Sequence, residues 1–349
     1  MKVEVVLTEA DIAQEFAEAI EARDLPEKFF FWFTRSAAEW AALGEHAELY
    51  GGLWETWKAI AATAPELAKH FGGRVPVISF GSGNGARDRL LMGALKDAGA
   101  TCQYFPVDAS QTMLEMACAG ADDEDIETTG IKADISSPVH LIYAADAADP
   151  PRLFILSGNT MGSFDPLAEI RYVAQCMKPG DRLIIDGEIQ DAEKTMARRD
   201  NPAARKFLSA LLASVGISDP DGEIRFDQKT DSRHQGLHLT TRYFRAARDL
   251  SATVSGEEIQ LQRGERIGMN FQYAYTPEAF RRLLHDHNRA TRVKLRLAAD
   301  LVQADEACRD RTASAAVSAR DRGHGFAAFK LEDQSLFFGC IPCFARLNR

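Results

Sequence analysis

The spacing of apolar positions divides the chain into stretches of different grammar. At the N-terminus Ile12, Phe16 and Ile20 recur every four residues behind Thr8, a residue suited to capping a helix, and Leu25-Pro26 ends the run. A dense block follows, Phe29-Phe30-Phe31-Trp32-Phe33, then helical spacing through Trp40 and again over 53–69. Aromatic density of this kind suits a core, and beside a ligand pocket it could also serve as a lid.

From Arg74 onward short apolar runs alternate with helical ones. The pattern predicts strands over 75–80, 102–107, 153–156 and 182–186. Helices over 87–98, 110–119 and 167–177 lie between them, the last closed by Lys178-Pro179-Gly180. Strands alternating with helices imply right-handed βαβ units and a parallel sheet. Between 191 and 275 the pattern changes to one helix, 203–215, followed by strands over 238–246, 258–262 and 267–275. That is antiparallel grammar and marks part of a second lobe. The α/β alternation resumes at Thr276-Pro277 with a helix through His287 and strands over 293–298 and 326–331. The stretch 304–322, rich in Ala, Ser, Arg and Asp, reads as a surface helix or loop.

Bulk properties narrow the function classes. A chain of 349 residues, 46% hydrophobic and 26% charged, has room for an α/β unit plus a second lobe and can bury a large core. Its net charge of −10 argues against nucleic acid or an anionic membrane as partner, since both need clustered cations. No apolar run reaches the roughly 20 residues of a membrane span. Residues 1–7 are too short, and too acidic further on, for a signal peptide, so the expected location is the cytoplasm. Of six cysteines only Cys340 and Cys343 form a C-x-x-C, and no second pair exists to complete a zinc site. His234 and His238 fall where a strand begins, and His285 and His287 are two apart near a helix end, so neither pair makes a chelating face. No metal is expected.

The chemistry concentrates after the first strand of the α/β stretch. Phe80-Gly81-Ser82-Gly83-Asn84-Gly85 stands between a strand and a helix, where glycines admit a ligand to the backbone and the helix N-terminus favours negative charge. Taken alone this loop also fits a dinucleotide enzyme or a plain tight turn. Asp108 ends the next strand, placed to accept both hydroxyls of an adenosine ribose. Asp134, in Lys132-Ala133-Asp134-Ile135, can receive an adenine amino group. The ordered set of glycine loop, strand-end acid, later acid and Pro179-Gly180-Asp181 before a strand points to an adenosine-bearing cofactor.

With these residues in hand, the chain resembles the histidine-specific, S-adenosylmethionine (SAM)-dependent N-methyltransferases of ergothioneine biosynthesis, which include fungal relatives acting on a prenylated tryptophan. The similarity runs with gaps from about 24 to 331. Leu25-Pro26-Glu27-Lys28 is similar to the family's N-terminal segment, residues 81–89 to its glycine loop and Pro106-Val107-Asp108-Ala109-Ser110 to its ribose strand. Gly158-Asn159-Thr160-Met161-Gly162-Ser163-Phe164-Asp165-Pro166 resembles a segment carrying a substrate contact, and Met177-Lys178-Pro179-Gly180-Asp181 the approach to the fifth strand. The resemblance implies a class I SAM-dependent methyltransferase, a Rossmann-like α/β sheet with a second α+β substrate lobe. It assigns 66–190 with 276–349 to the SAM-binding unit, and 1–65 with 191–275 to the lobe.

The resemblance further implies a SAM site of Gly81, Ser82, Gly83, Arg87, Asp108, Ala109, Asp134, Ile135 and Asn159, with Arg87 standing where the family has a lysine. On the substrate side the family's asparagine is matched by Ser163, and its Glu-x-Ser pair by Arg266 and Gly268, while Tyr50 matches one wall tyrosine. An arginine in place of an acid inverts the charge offered to the substrate, so histidine is not the expected acceptor. Arg266 could instead pair with a carboxylate. The expected reaction is methyl transfer to an amine or other heteroatom of a small, carboxylate-bearing metabolite. Two alternatives remain: aminocarboxypropyl transfer or cyclisation releasing methylthioadenosine, and non-catalytic SAM binding.

Overall fold

The computed structural model describes residues 2–44, 46–190, 192–231, 235–254, 257–291, 294–297 and 326–332. The sequence readings of His234, of 304–322 and of Cys340 and Cys343 lie outside them. In chain order the strands are β1 (Lys2–Val5), β2 (Asp24–Leu25), β3 (Arg74–Phe80), β4 (Thr101–Asp108), β5 (Glu127–Lys132), β6 (Leu153–Leu156) and β7 (Arg182–Glu188). There follow β8 (Gly222–Thr230), β9 (Leu237–Ala246), β10 (Leu250–Val254), β11 (Glu257–Leu261), β12 (Arg266–Tyr275), β13 (Lys294–Leu297) and β14 (Phe326–Glu332). No described helix is long and apolar enough to cross a membrane.

Eight strands form one sheet in the order β1-β5-β4-β3-β6-β7-β14-β13. From β1 to β7 all neighbours run parallel, and β14 inserts antiparallel to β7. β6 and β7 are buried along their whole length and β3 beyond its first residue, as expected of parallel strands covered on both faces. Phe80, Phe105, Phe154 and Ile185 belong to the core on one side, and Val77, Tyr104, Leu91 and Trp57 to the core on the other. The order reverses at β3: the chain runs outward through β4 and β5, then crosses back to β6 on the opposite flank. In such sheets the crevice beyond the carboxyl ends at the reversal is the ligand site.

The second lobe is a four-stranded sheet, β2-β12-β9-β8, with β12, β9 and β8 antiparallel, as its period-two pattern predicted. The aromatic block is core to this lobe: Phe29 meets Phe16 edge-on at 5.0 Å, and Phe31 packs on Trp40 and Phe207 at 5.3 and 5.6 Å. Thr8 caps the helix Glu9–Glu21 reciprocally with Asp11, and Ile12, Phe16 and Ile20 are its buried face.

Two expectations change. Residues 1–65 do not all join the lobe. β1 extends the central sheet beyond β5, and the helix Ala47–Ala61 gives Leu53, Trp57 and Ile60 to the α/β core. Asp181, read as part of the cofactor pattern, is instead half of a buried ion pair at the amino ends of β6 and β7, away from the crevice. Its carboxylate takes Arg152 Nη2 at 2.7 Å, with the backbone N–H groups of Arg152 and Lys178 each at 2.7 Å. Both side chains are without exposure. An uncompensated charge left at such a site is costly. Asp181→Ala should therefore lose about 3–5 kcal/mol of stability in urea denaturation, and replacing Arg152 and Asp181 together by apolar residues should recover most of it.

Candidate active site

The carboxyl end of β3 opens directly into the glycine loop. The Gly81 and Ser82 N–H groups both donate to Val107 O, at 2.9 and 3.1 Å, which lays the loop across the end of β4. Gly81 adopts φ +67°, and a Cβ there would stand 3.0 Å from Thr160 and 3.2 Å from Ile135, so only glycine fits. This contact joins the loop to the turn after β6 and to the segment after β5.

Asp108 is the pivot of the loop. The Gly83 N–H donates to its Oδ2 at 2.9 Å and the Ser110 N–H to its Oδ1 at 2.9 Å. Burial pushes the Asp108 carboxyl up to about 6, against the opposing backbone N–H bonds. Ser110 meanwhile caps the helix Gln111–Asp122, and Ala109 packs against the core of the second lobe. These residues fit an adenosine-bearing ligand. Nothing lies within 4 Å of where a Gly83 Cβ would stand, and a carboxylate that has met backbone N–H donors keeps acceptor capacity for hydroxyls.

Asp134 is shared between two tasks. Its Oδ1 accepts from the Ser136 N–H and hydroxyl at 2.9 and 2.7 Å, and its Oδ2 pairs with Lys28 at 2.5 Å. Burial works to raise its pKa, but the Lys28 charge and the Ser136 bonds outweigh it and hold the carboxyl below its ordinary value. Lys28 also pairs with Glu15, so the N-terminal segment is clamped onto the segment after β5.

The turn after β6 carries Gly158 at φ +78° and Asn159 at φ +58°. Its N–H groups donate to Asp186, Gly158 to Oδ2 at 2.8 Å and Asn159 to Oδ1 at 2.6 Å. The same carboxylate receives Trp57 Nε1–H at 2.8 Å. Asn159 is buried with its amide fully engaged, donating to Tyr273 O at 2.9 Å and accepting the Glu188 N–H at 3.1 Å. It tethers β12 to the central sheet. Arg87 reaches across from the helix Ala86–Asp97, its Nε 3.2 Å from Ser157 Oγ and its guanidinium against Gly158.

Between this turn and the second lobe lies a cavity of about 330 Å³. Gly83, Arg87 and Asn159 line it on the glycine-loop side, Trp40, Leu53 and Phe207 give it an apolar wall, and Arg198, Arg199, Arg242 and Gln272 a polar one. Arg199 donates to the carbonyls of Gln272 and Tyr273 and pairs with Glu188 Oε2 at 2.6 Å, and Arg198 takes the other Glu188 oxygen. Ser163 is buried in the turn Thr160–Ser163 and hydrogen-bonded to Glu27, which faces Arg242 at 3.8 Å. Burial pushes Glu27 above the ordinary carboxylate range despite the nearby arginines.

The substrate-side expectations fare unevenly. Tyr50 lies in the helix Ala47–Ala61, with its side chain outside the described residues. Arg266 does not line the cavity. It is exposed at the start of β12 and stacks over Tyr243 at 4.5 Å. Of the four arginines that do line it, Arg87 was expected on the cofactor side, whereas Arg198, Arg199 and Arg242 were not singled out by sequence reading. Neither was Asp186. The available signal was the pair of acids, Asp186 and Glu188, inside an otherwise buried strand.

A family model described as histidine-specific methyltransferase, SAM-dependent, matches residues 8–295. Two curated relatives, histidine N-alpha-methyltransferases of Mycobacterium tuberculosis (strain CDC 1551 / Oshkosh) and Mycolicibacterium smegmatis (strain ATCC 700084 / mc(2)155), are each 25% identical to the chain. The matches cover 40% and 58% of this chain, and 44% and 65% of the relatives, so the chain spans about half to two thirds of their length. Among solved structures, a SAM-dependent methyltransferase from Clostridium acetobutylicum ATCC 824 is 12% identical, covering 84% of this chain and 100% of its own at a TM-score of 0.40. The plantazolicin methyltransferase BamL is 9% identical, covering 92% and 98% at a TM-score of 0.46.

Two outcomes are expected at this site. Asp108 must be ionised to accept hydroxyls well, so SAM affinity should fall as pH drops through about 6. Asp108→Asn should remove that dependence and cost about 1.5–3 kcal/mol of binding, tenfold or more, in calorimetric titrations on either side of that pH. Asp186→Asn can no longer receive all three N–H groups, and should cost about 1–3 kcal/mol of stability together with a change in Trp57 fluorescence.

Proposed function

The chain belongs to the histidine-specific, SAM-dependent methyltransferase family, and on that premise we propose that it transfers the SAM methyl group to an amine or other heteroatom of a small, carboxylate-bearing metabolite other than histidine. The observation that carries this reading is the juxtaposition of the Asp108–Gly83 loop with a cavity whose ionised lining is entirely arginine among the described residues. A site that grips imidazole offers it hydrogen-bonding partners such as an acid. This lining offers the opposite charge.

SAM supplies a methyl group already activated by its sulfonium, so the protein has to position, desolvate and set protonation rather than generate an electrophile. Asp108 and the glycine loop would hold the ribose, and Arg87, against Gly158, is placed to meet a carboxylate on the same side of the cavity. With SAM held in this way, Trp40, Phe207 and Leu53 would bound the space beside the methyl group and exclude water from it. The acceptor lone pair forms the new bond to the methyl carbon as the carbon–sulfur pair returns to sulfur, leaving S-adenosylhomocysteine. An amine acceptor must lose its proton to attack. That proton would pass to water, with Glu27, behind Arg242 and raised by burial, the carboxylate nearest the lining on that side.

Product analysis tests the proposal. SAM should stabilise the protein thermally, by about 2.7 kcal/mol at a hundredfold excess over its Kd. On incubation with SAM and an amino-acid or amine panel, mass spectrometry should find S-adenosylhomocysteine only with a carboxylate-bearing acceptor, and none above background with histidine. Methylthioadenosine accumulating from SAM alone would instead mean attack on the methionine carbon chain, and turnover of histidine would return the chain to the family's named substrate.

A further inference from the structure

Of the five large apolar side chains exposed among the described residues, Met116 lines the cavity. The other four, Val5, Val139, Ile142 and Tyr143, gather at one end of the central sheet. Single apolar side chains are ordinary on a surface, but a cluster marks a contact. Val139, Ile142 and Tyr143 stand three and four positions apart and so form one stripe of the helix Pro138–Ala145. The same helix turns Leu141, Ala144 and Ala145 to the core. Apart from the Tyr143 hydroxyl, its only polar side chain is His140, which accepts the Asp134 N–H at 3.0 Å. A helix apolar on both faces is expected to be covered on both. The Tyr143 hydroxyl donates to Glu4 Oε2 at 3.1 Å, which sets the stripe beside β1.

β1 is an edge strand, paired with β5 on one side and with no described residue on the other. Val6 donates its N–H to Lys132 O at 2.9 Å, and backbone direction alternates along a strand. Lys2 and Glu4 therefore also turn toward β5, while Val3 and Val5 point their N–H and C=O groups outward. Such an open edge is a template for another strand. The side chains of β1 select which strand fits. Lys2 and Glu4 share the face beside the helix, where they pair at 2.8 Å. Laid antiparallel to a second β1 across a two-fold axis at Val3, the two Val3 residues exchange both N–H···O bonds. In the same register Lys2 of each chain falls opposite Glu4 of the other. Centred on Val5 instead, Glu4 would face Val6 and the charge match would be lost. The axis stands perpendicular to the sheet, so the two helices lie on one face and their stripes approach each other there.

From this edge we infer that the chain self-associates as a two-fold dimer through β1, joining the central sheets of two copies and covering the Val139–Ile142–Tyr143 stripe with its own counterpart. On the opposite face Val5 lies diagonally across from Val3 of the second copy, so the fourth exposed side chain is used as well. The inference does not depend on the methyl-transfer reading.

Sedimentation velocity of the full chain over a range of concentrations tests it. A species of twice the mass of one chain should grow with concentration. Val3→Pro removes an outward N–H and leaves the bonds to β5 untouched, and Ile142→Lys puts a charge in the stripe. Each should weaken association at least about tenfold. Lys2→Glu and Glu4→Lys each set like charges opposite one another and should weaken it about three- to tenfold. Mixing those two variants should restore association as heterodimers, which also shows that both are folded. A monomer at every concentration overturns the inference, and amide exchange at Val3 then tells what covers the edge. Protection in that monomer means a segment of this chain lies on β1, and fast exchange means the edge is free for a partner of different sequence. A dimer that survives both Val3→Pro and Ile142→Lys, or that fails to recover on mixing, forms through another surface and overturns the inference too.

Discussion

Asp186 sits on β7 with no solvent exposure, and its two oxygens accept three N–H groups, from Trp57, Gly158 and Asn159. A buried carboxylate persists only with such donors, and here they come from two other parts of the architecture, a helix and a turn. Trp57 brings the helix Ala47–Ala61 onto the sheet. Gly158 and Asn159 are the turn that closes the crevice. Asn159 then extends the chain of bonds to Tyr273 O and to the Glu188 N–H, and Arg199 adds its own to Gln272 O and Tyr273 O. Around the crevice the second lobe is thus hung on the central sheet by polar bonds of fixed direction. Apolar contact alone, being non-directional, would not set the spacing between the glycine loop and the arginine wall.

The two sides of the crevice have opposite electrostatic character. On the cofactor side, Asp108 and Asp134 are acids held in different states: burial raises one to about 6, while Lys28 holds the other low. Across the cavity the ionised lining is cationic among the described residues. The acids next to this lining, Glu188 and Glu27, stand behind the arginines rather than in the cavity.

How far the site could be read in advance follows from how local each signal is. The glycine loop and Asp108 were legible because the turn and the strand end sit within a few residues of the elements that position them. The cap at Thr8 and its apolar face were legible for the same reason. β5 was missed because Glu127-Thr128-Thr129-Gly130 has no apolar run; it becomes a strand by pairing between β4 and β1. Asp181 was misread because a Pro-Gly-Asp sequence looks alike whether its acid faces a ligand or, as here, a buried arginine. Arg266 was expected in the cavity and is not there. The irregularity between Gly268 and Phe271 changes which residues of β12 face inward, so Gln272 beyond it lines the cavity while Arg266 before it lies exposed.

By itself the sequence determined the alternation of strands and helices, the parallel sheet, the glycine loop and the strand-end acid Asp108, and through these the family's cofactor. Each is encoded in periodicity or in turn chemistry over fewer than about a dozen residues, which neighbouring side chains enforce without help from the rest of the chain. Only the tertiary structure decided what lines the cavity beside the glycine loop. Arg198, Arg199 and Arg242, with Glu27 and Glu188 behind them, come from distant segments, and none carries a local signature that separates it from a solvated surface charge. They become a site because the second lobe docks on the turn after β6, and that docking depends on a buried carboxylate and a left-handed asparagine whose partners lie far away in the chain.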